Sequence, residues 1–207
     1  MRVLLINGSP HEAGCTYTAL MEVANRLHEL GVETDLVQCG KNPVQDCIAC
    51  NKCVKTGSCI FKDDAVNETI ELLKKADGLV VGSPVYYAGP SARLTAFLDR
   101  VFYCKSAPYA GKPAAAVVSC RRGGASASFD RLNKYFTICG MPVVSSQYWN
   151  SVHGNTPDEV RQDLEGLQTM RTLASNMAWL LRCIEVGRQQ GIQFPEREPW
   201  IKTNFIR

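Results

Sequence analysis

The sequence predicts a doubly wound α/β fold over residues 1–187, five parallel strands in the order 2-1-3-4-5 with helices on both faces, and an extended tail over 188–207. Three observations predict it. Strand-like and helix-like segments alternate five times, as they do when βαβ units build a parallel sheet. Three of the strand segments are apolar throughout and belong at the centre of the sheet, while one half-polar and one proline-containing segment belong at its edges. Finally, each cluster of unusual residues follows a strand, so all of them gather along the one edge of such a sheet where ligands bind.

The elements follow in order. Arg2–Asn7 is a continuous apolar run, and Thr16–Leu30 repeats apolar residues at Leu20, Val23, Leu27 and Leu30 before the helix stop Gly31. Val32–Gln38 carries Glu33 and Asp35 beside Val32, Leu36 and Val37, which reads as a half-buried strand. Asp63 or Asp64 caps a helix through Val66, Ile70 and Leu73, and Gly78–Gly82 is again wholly apolar. Pro90–Tyr103 is helical through Leu94, Phe97, Leu98 and Val101; Ala114–Ser119 is the third apolar strand; Phe129–Cys139 is a helix stopped by Gly140. Pro142–Gln147 is the fifth strand, and Thr156, Pro157 and Glu159 open a last helix with a capping box and a proline in the first turn. The tail has too many prolines for a helix and enough aromatics to be expected against its own domain or a partner subunit. The strand order is that of flavodoxin-like folds, in which FMN sits at the switch point between the first and third strands.

Composition narrows the function classes. The chain has 207 residues, 45% hydrophobic and 21% charged, enough for one good core. No stretch is apolar for long enough to span a membrane, and the opening MRVLLINGSP lacks the long apolar region of a signal peptide, so a cytoplasmic protein is expected. A net charge of +3 with no basic run gives no reason to expect nucleic acid as a partner. In a reducing compartment, clustered cysteines point to metal binding or redox chemistry rather than to disulfides.

The loop after the first strand combines Gly8, Ser9, Pro10, Gly14, Thr16 and Thr18 with a helix N-terminus, which offers N–H and O–H donors to an anion. It is neither GxGxxG nor a Walker A sequence, so a dinucleotide fingerprint and a nucleoside triphosphatase are disfavoured. Asn7 and Ser83 stand where a receiver domain would need acids. After the third strand, Pro84, Val85, Tyr86 and Tyr87 supply a rigid turn and two aromatics suited to a flat ring system. Arg121 and Arg122, followed by Gly123 and Gly124 in SCRRGGAS after the fourth strand, are candidates to bind FMN or an acidic nucleotide, since arginine suits phosphate and stacked rings, or to form a solvated turn, the reading favoured for Arg122. Trp149, Asn150 and His153 are candidates to wall the pocket or to anchor the fifth strand, and His28 is expected to be exposed on its helix.

GSPHEAGCTYTAL together with GSPVYYAGPSARLTAFLDRVF resembles the NADPH-dependent FMN reductase family of flavodoxin-like proteins, and CIACNKCVKTGSCIFKDD is similar to its iron–sulfur flavoprotein branch. The resemblance runs from Met1 to about Gly154. It implies a homodimer or homotetramer, non-covalent FMN at the sheet edge, NAD(P)H as electron donor and two-electron chemistry at the flavin. It places Ser9, Gly14, Cys15, Thr16 and Tyr17 around the phosphate and Pro84, Val85, Tyr86 and Tyr87 along the ring and ribityl chain. The family often has Arg and Asn where this chain has His11 and Cys15, so at those two positions backbone donors rather than side chains are expected to bind.

Four of the ten cysteines, Cys47, Cys50, Cys53 and Cys59, fall in one short loop. C-x2-C-x2-C followed by a fourth cysteine is a usual way to present thiolates to a 4Fe–4S cluster. The fourth follows after five residues with no proline behind it, unlike the bacterial ferredoxin run and like the compact pattern of the iron–sulfur flavoproteins. Zinc held by four thiolates, and packed or redox-active thiols without metal, are the other readings of the same loop. Cys15 is expected to be an inert small residue. The function expected is an FMN-dependent NAD(P)H:acceptor oxidoreductase whose acceptor is a flavin, quinone or other small molecule. The alternatives are an iron–sulfur flavoprotein carrying electrons between redox proteins, and a structural or sensing protein with zinc or disulfides. No His/Asp or paired-carboxylate constellation asks for a catalytic side chain beyond the flavin itself.

Overall fold

A computed structural model describes residues 1–104, 108–199, 201 and 203. The chain forms β1 (Arg2–Asn7), α1 (Cys15–Glu29), β2 (Glu33–Gln38), α2 (Lys52–Thr56), α3 (Val66–Lys75), β3 (Gly78–Tyr86) and β4 (Gly89–Pro90). It continues with α4 (Ala92–Tyr103), β5 (Ala114–Cys120), α5 (Ala125–Ile138), β6 (Ser151–His153), α6 (Pro157–Gln162) and α7 (Leu164–Gln189). The sheet order is β2-β1-β3-β5-β6, all parallel, with the two-residue β4 folded back antiparallel on β3. Leaving β4 aside, this is the expected 2-1-3-4-5 order.

The apolar strands lie where their composition places them. β5 is buried at all seven positions and β1 at five of six, whereas edge strand β2 buries only Val37. One core layer lies between the sheet and α3, α4 and α5, around Leu79, Phe97, Leu98 and Phe136; the other lies under α1 and α7, around Leu5, Leu20, Val80 and Met177. Each such fully buried side chain contributes about 1.5–3 kcal/mol, so the two layers dominate the stability.

Besides α4, which begins at Ala92 while Pro90 pairs in β4, and β3, which runs past Gly82 to Tyr86, three elements differ from expectation. The fifth strand is not Pro142–Gln147 but Ser151–His153. Near residue 143 the chain does run beside β5, where Ala114 donates to Pro142 O at 2.9 Å and Val144 to Ala114 O at 2.9 Å, but it makes only a single bridge, leaves the sheet, and returns where Val118 donates to Asn150 O at 2.9 Å. Second, α5 begins at Ala125, four residues before its apolar repeat, because Gly124 turns into it at φ +90. Third, the last helix breaks at Asp163. Thr156 caps α6 by accepting from Glu159 N, and Asp163 restarts the chain as α7 by accepting from Gly166 N. Neither Asp63 nor Asp64 is the cap of α3: the N-cap is Ala65, without a side-chain cap bond, and Asp64 Oδ1, one residue earlier, accepts from Val66 N at 3.1 Å.

In the tail, Arg197 donates to Cys139 O at 2.8 Å and the Phe194 ring lies against Gly111. Phe194 and Gly111, with Ile192, Leu181, Ile184 and Pro142, line a cavity of about 720 Å³ at the end of the sheet opposite the strand-exit loops. Among the described residues no helix is long and apolar enough to cross a membrane.

Candidate functional site

The loops leaving the parallel strands are tied to one another by named bonds. Gly8 N donates to Gly82 O at 2.9 Å and Ser91 Oγ donates to Gly8 O at 2.9 Å, so the turn leaving β1 is tied both to β3 and to the start of α4. Ser83 Oγ accepts from Ser91 N at 3.0 Å, which ties the N-cap of α4 to the same point. A Cβ at Gly8 would lie 2.9 Å from Gly82 O and 2.5 Å from Leu94 Cδ2, so the approach of this turn to β3 and α4 requires glycine. On one side Gln38 Nε2 donates to Ser9 O at 2.6 Å and Asn7 Nδ2 to Gln38 Oε1 at 2.6 Å, joining the exit of β2. On the other, the hydroxyls of Thr16 and Ser119 meet at 2.7 Å, and Cys15 Sγ lies 3.7 Å from Gly154 O, joining the exits of β5 and β6.

Within this unit α1 starts without a side-chain cap and without an acid in its first turn. The helix therefore presents the free N–H groups of its first turn and the positive end of its dipole at the junction of the loops, an arrangement that attracts an anion. Helices α4, α6 and α7 are capped by Ser91, Thr156 and Asp163, whereas α2, α3 and α5, like α1, have no side-chain cap. Ser9 and Thr16 are buried, Gly14, Cys15 and Tyr17 half-buried, and His11 exposed with its own N–H donating to Ser9 Oγ at 3.1 Å. Burial pushes the Cys15 thiol above its usual range, which leaves it the weak nucleophile expected.

Across the junction, Pro84 and Val85 are half-buried and Tyr86 and Tyr87 exposed. Tyr87 and Ala88 sit in left-handed backbone at φ 50 and φ 58, and this turn leaves the Tyr87 ring wholly in solvent. It abuts the loop after β5, where a Cβ on Gly124 would lie 2.7 Å from Ala88 Cα. Arg121, Arg122 and Gly123 are exposed on that loop. Trp149 is exposed with its ring 4.7 Å from that of Tyr148, whereas Asn150 is buried and donates to Ala116 O at 3.0 Å, so it anchors the edge strand. His28 is exposed and bonds Thr34.

The four clustered cysteines lie along α4. Cys47, Cys50, Cys53 and Cys59 line one narrow pocket with Ile60, Phe61, Arg100 and Tyr103. Among the described residues no disulfide joins any of the ten cysteines. The Cys53 thiol is held above its usual range by burial and by Cys104, Cys47, Cys59 and Cys50, which places the other three cluster cysteines within electrostatic reach of Cys53. Among the described residues no three His, Cys, Asp or Glu side chains stand close enough to grip a single ion. The donor set nonetheless suits a four-thiolate group: four thiols from one loop around one pocket, beside a guanidinium.

Side chains that the sequence analysis passed over hold this loop. Arg93 donates to Gly40 O and Lys41 O, each at 3.0 Å. The buried Arg100 ion-pairs with Asp64, donates to Gln45 O at 3.0 Å and reaches Cys59 Sγ at 3.2 Å. The signal that could have found Arg100 is a charge flanked by Phe97, Leu98 and Val101 on the buried stripe of its helix. Arg100 lies nine residues beyond Ser91, roughly 13 Å along the helix axis, so the thiol pocket is a separate site on the same element as the β1–β3 junction.

The fold recurs in solved structures. A flavodoxin-like WrbA-like protein from Agrobacterium tumefaciens aligns with a TM-score of 0.61 at 17% identity over 88% of this chain and 97% of its own. RosB, solved with a bound 8-demethyl-8-formylriboflavin-5'-phosphate intermediate, aligns with a TM-score of 0.70 at 15% identity over 100% of this chain and 94% of its own. In sequence, an iron–sulfur flavoprotein of Methanocaldococcus jannaschii is 32% identical over 89% of this chain and 100% of its own length. One from Methanosarcina thermophila is 30% identical over 92% and 100%. The family model of the NADPH-dependent FMN reductases matches residues 1–156, which carry β1 through β6 and every loop of the junction, and the chain therefore belongs to that family.

Proposed function

We propose that this chain is an FMN-dependent NAD(P)H:acceptor oxidoreductase whose β1–β3 junction binds the flavin and whose four-cysteine loop holds a 4Fe–4S cluster. The single observation that carries the flavin reading is the uncapped N-terminus of α1 at the point where Gly8 N donates to Gly82 O. There Ser9, Gly14, Cys15, Thr16 and Tyr17 would hold the phosphate, the exposed His11 contributing backbone only. Pro84, Val85, Tyr86 and Tyr87 would line one edge of the ring, with Arg121 and Gly123 on the adjoining loop after β5. FMN held there would supply two-electron chemistry between a nicotinamide donor and an acceptor.

The chain's own part is to bind and orient. The Thr16–Ser119 hydroxyl pair holds the first turn of α1 against the end of β5, and Ser91 holds the β3 turn against Gly8. The Tyr86–Tyr87 turn would shield one side of a bound ring and leave the other to a nicotinamide or a small acceptor such as a quinone. Cys47, Cys50, Cys53 and Cys59 would hold the cluster. A homodimer or homotetramer in the cytoplasm is part of the same reading.

The electron-carrier reading is favoured by a different observation, the four thiols around one pocket in a chain whose relatives are named iron–sulfur flavoproteins. One anaerobic experiment separates the two. Protein reconstituted with FMN is mixed first with NADPH and then with NADH. Rapid bleaching by either supports the reductase, and bleaching only by reduced ferredoxin supports the carrier. FMN that stays freely fluorescent after mixing with the protein refutes the flavin site.

A further inference from the structure

We propose that Arg100 is the positioning residue of the four-cysteine site and sets its reduction potential through a hydrogen bond to Cys59. The inference rests on the reading that the loop holds an iron–sulfur cluster, and goes beyond it to a residue outside the loop. Arg100 comes from α4, its side chain is 1% exposed, and every polar partner it has belongs to the segment 45–64. Nη1 donates to Gln45 O at 3.0 Å, just before Cys47. Nη2 donates to Asp64 Oδ1 at 3.1 Å, and the Phe61 ring covers the guanidinium with its centroid 5.1 Å away. Nε donates to Cys59 Sγ at 3.2 Å, within the distance allowed for a sulfur acceptor.

Cys59 is fixed by its backbone as well. Its N–H donates to Asn67 Oδ1 at 2.7 Å and its carbonyl accepts from Asn67 Nδ2 at 3.2 Å. Asp64 is fixed in turn by Val66 N at 3.1 Å at the start of α3. One thiol of the four is thus preformed and held by a cation of rigid, forked geometry, whereas Cys50 is exposed. A guanidinium stays charged at any pH the protein survives. When one electron from a reductant enters the site, it adds one negative charge to the group the thiolates hold. A donor aimed at a ligand sulfur and a neighbouring positive charge both favour that state. Asp64 opposes it, since its carboxylate neutralises part of the same charge.

Two substitutions should therefore move the potential in opposite directions. Arg100→Lys keeps a cation for Asp64 but loses the fork that reaches Cys59. Asp64→Asn keeps a side-chain oxygen for Arg100 but loses the negative charge. Wild type and both variants are prepared anaerobically, assayed for iron and sulfide, and titrated with dithionite while absorbance is followed. In Arg100→Lys the reduction equilibrium is expected to fall at least tenfold, a midpoint about 59 mV more negative for one electron. In Asp64→Asn it is expected to rise at least threefold. Potentials within threefold of wild type in both variants, or shifts of the same sign, overturn the proposal, because a role confined to holding the loop would loosen both alike. Should Arg100→Lys fail to fold or to keep iron, the sign in Asp64→Asn decides alone. Wild-type protein without iron removes the cluster reading and this proposal together, and the iron assay shows that before any titration begins.

Discussion

Gly124 offers a sharp test of how the junction is built, because its neighbour Gly123 is a control. Gly124 has φ +90, and a Cβ there would meet Ala88 Cα at 2.7 Å and Val85 Cγ1 at 2.8 Å; at Gly123 nothing lies within 4 Å. In Gly124→Ala the left-handed backbone costs about 1–2 kcal/mol. The close approach to Ala88 adds about 1–3 kcal/mol, since backbone cannot step aside as a flexible side chain can. For a chain of this size each kcal/mol moves the melting temperature by about 2–4 °C, so Gly124→Ala should melt roughly 4–20 °C below wild type. Gly123→Ala should stay within about 0.5 kcal/mol of wild type. Circular dichroism gives the melting curves, and titration of FMN fluorescence on the folded proteins gives the binding. The added methyl pushes the Tyr86–Ala88 turn outward, so Gly124→Ala should also bind FMN more weakly. Equal melting temperatures for the two variants would refute the contact between the β3 and β5 loops.

Three further outcomes are expected. Thr16→Val removes one partner of the buried Thr16–Ser119 bond and strands the Ser119 hydroxyl, so urea unfolding should show a loss of about 1–3 kcal/mol. Burial pushes the Cys39 thiol up to about 12; the folded chain then holds a proton that the unfolded chain releases near pH 8.5. That stabilisation is complete below about pH 8.5 and is lost as pH rises towards about 12, at up to about 1.4 kcal/mol per pH unit for one thiol. Unfolding under reductant at pH 7, 9 and 10 should accordingly show a shallower alkaline decline in Cys39→Ala. Finally, Tyr87→Gly relieves a left-handed residue whose ring touches solvent alone, so thermal stability should hold or rise, while loss of an aromatic contact worth about 0.5–1.5 kcal/mol should weaken FMN binding about two- to tenfold.

The parts of the fold readable from sequence are those whose burial is set by the strand itself. Val3 to Ile6, Leu79 to Val81 and Ala114 to Val118 are covered on both faces, and such strands must be apolar at every position. The edge strand Ser151–His153 escaped because it has a neighbour on one side only and buries just Val152, while the more apolar stretch near Val143 pairs at a single residue. The start of α5 escaped because Ala125, Ser126 and Ala127 face outward or sideways and carry no periodic signal. At the junction, glycines, hydroxyls and aromatics after each strand marked the right loops, since the topology alone brings those loops together. The bonds that lock them, Ser91 to Gly8 and Gln38 to Ser9, join residues 83 and 29 positions apart and leave no local pattern to read. Arg100 was hidden for the same reason: its partners lie 36 to 55 residues away.

Helix α4 is gripped at Ser91, Arg93 and Arg100, each on a different piece of chain. Because every residue advances an α-helix by about 100°, one residue inserted between Arg93 and Arg100 would swing the second arginine roughly a quarter-turn off the thiol loop while leaving the first in place. The stretch can therefore accept exchanges of side chain on its outer face far more readily than any change in its number of residues.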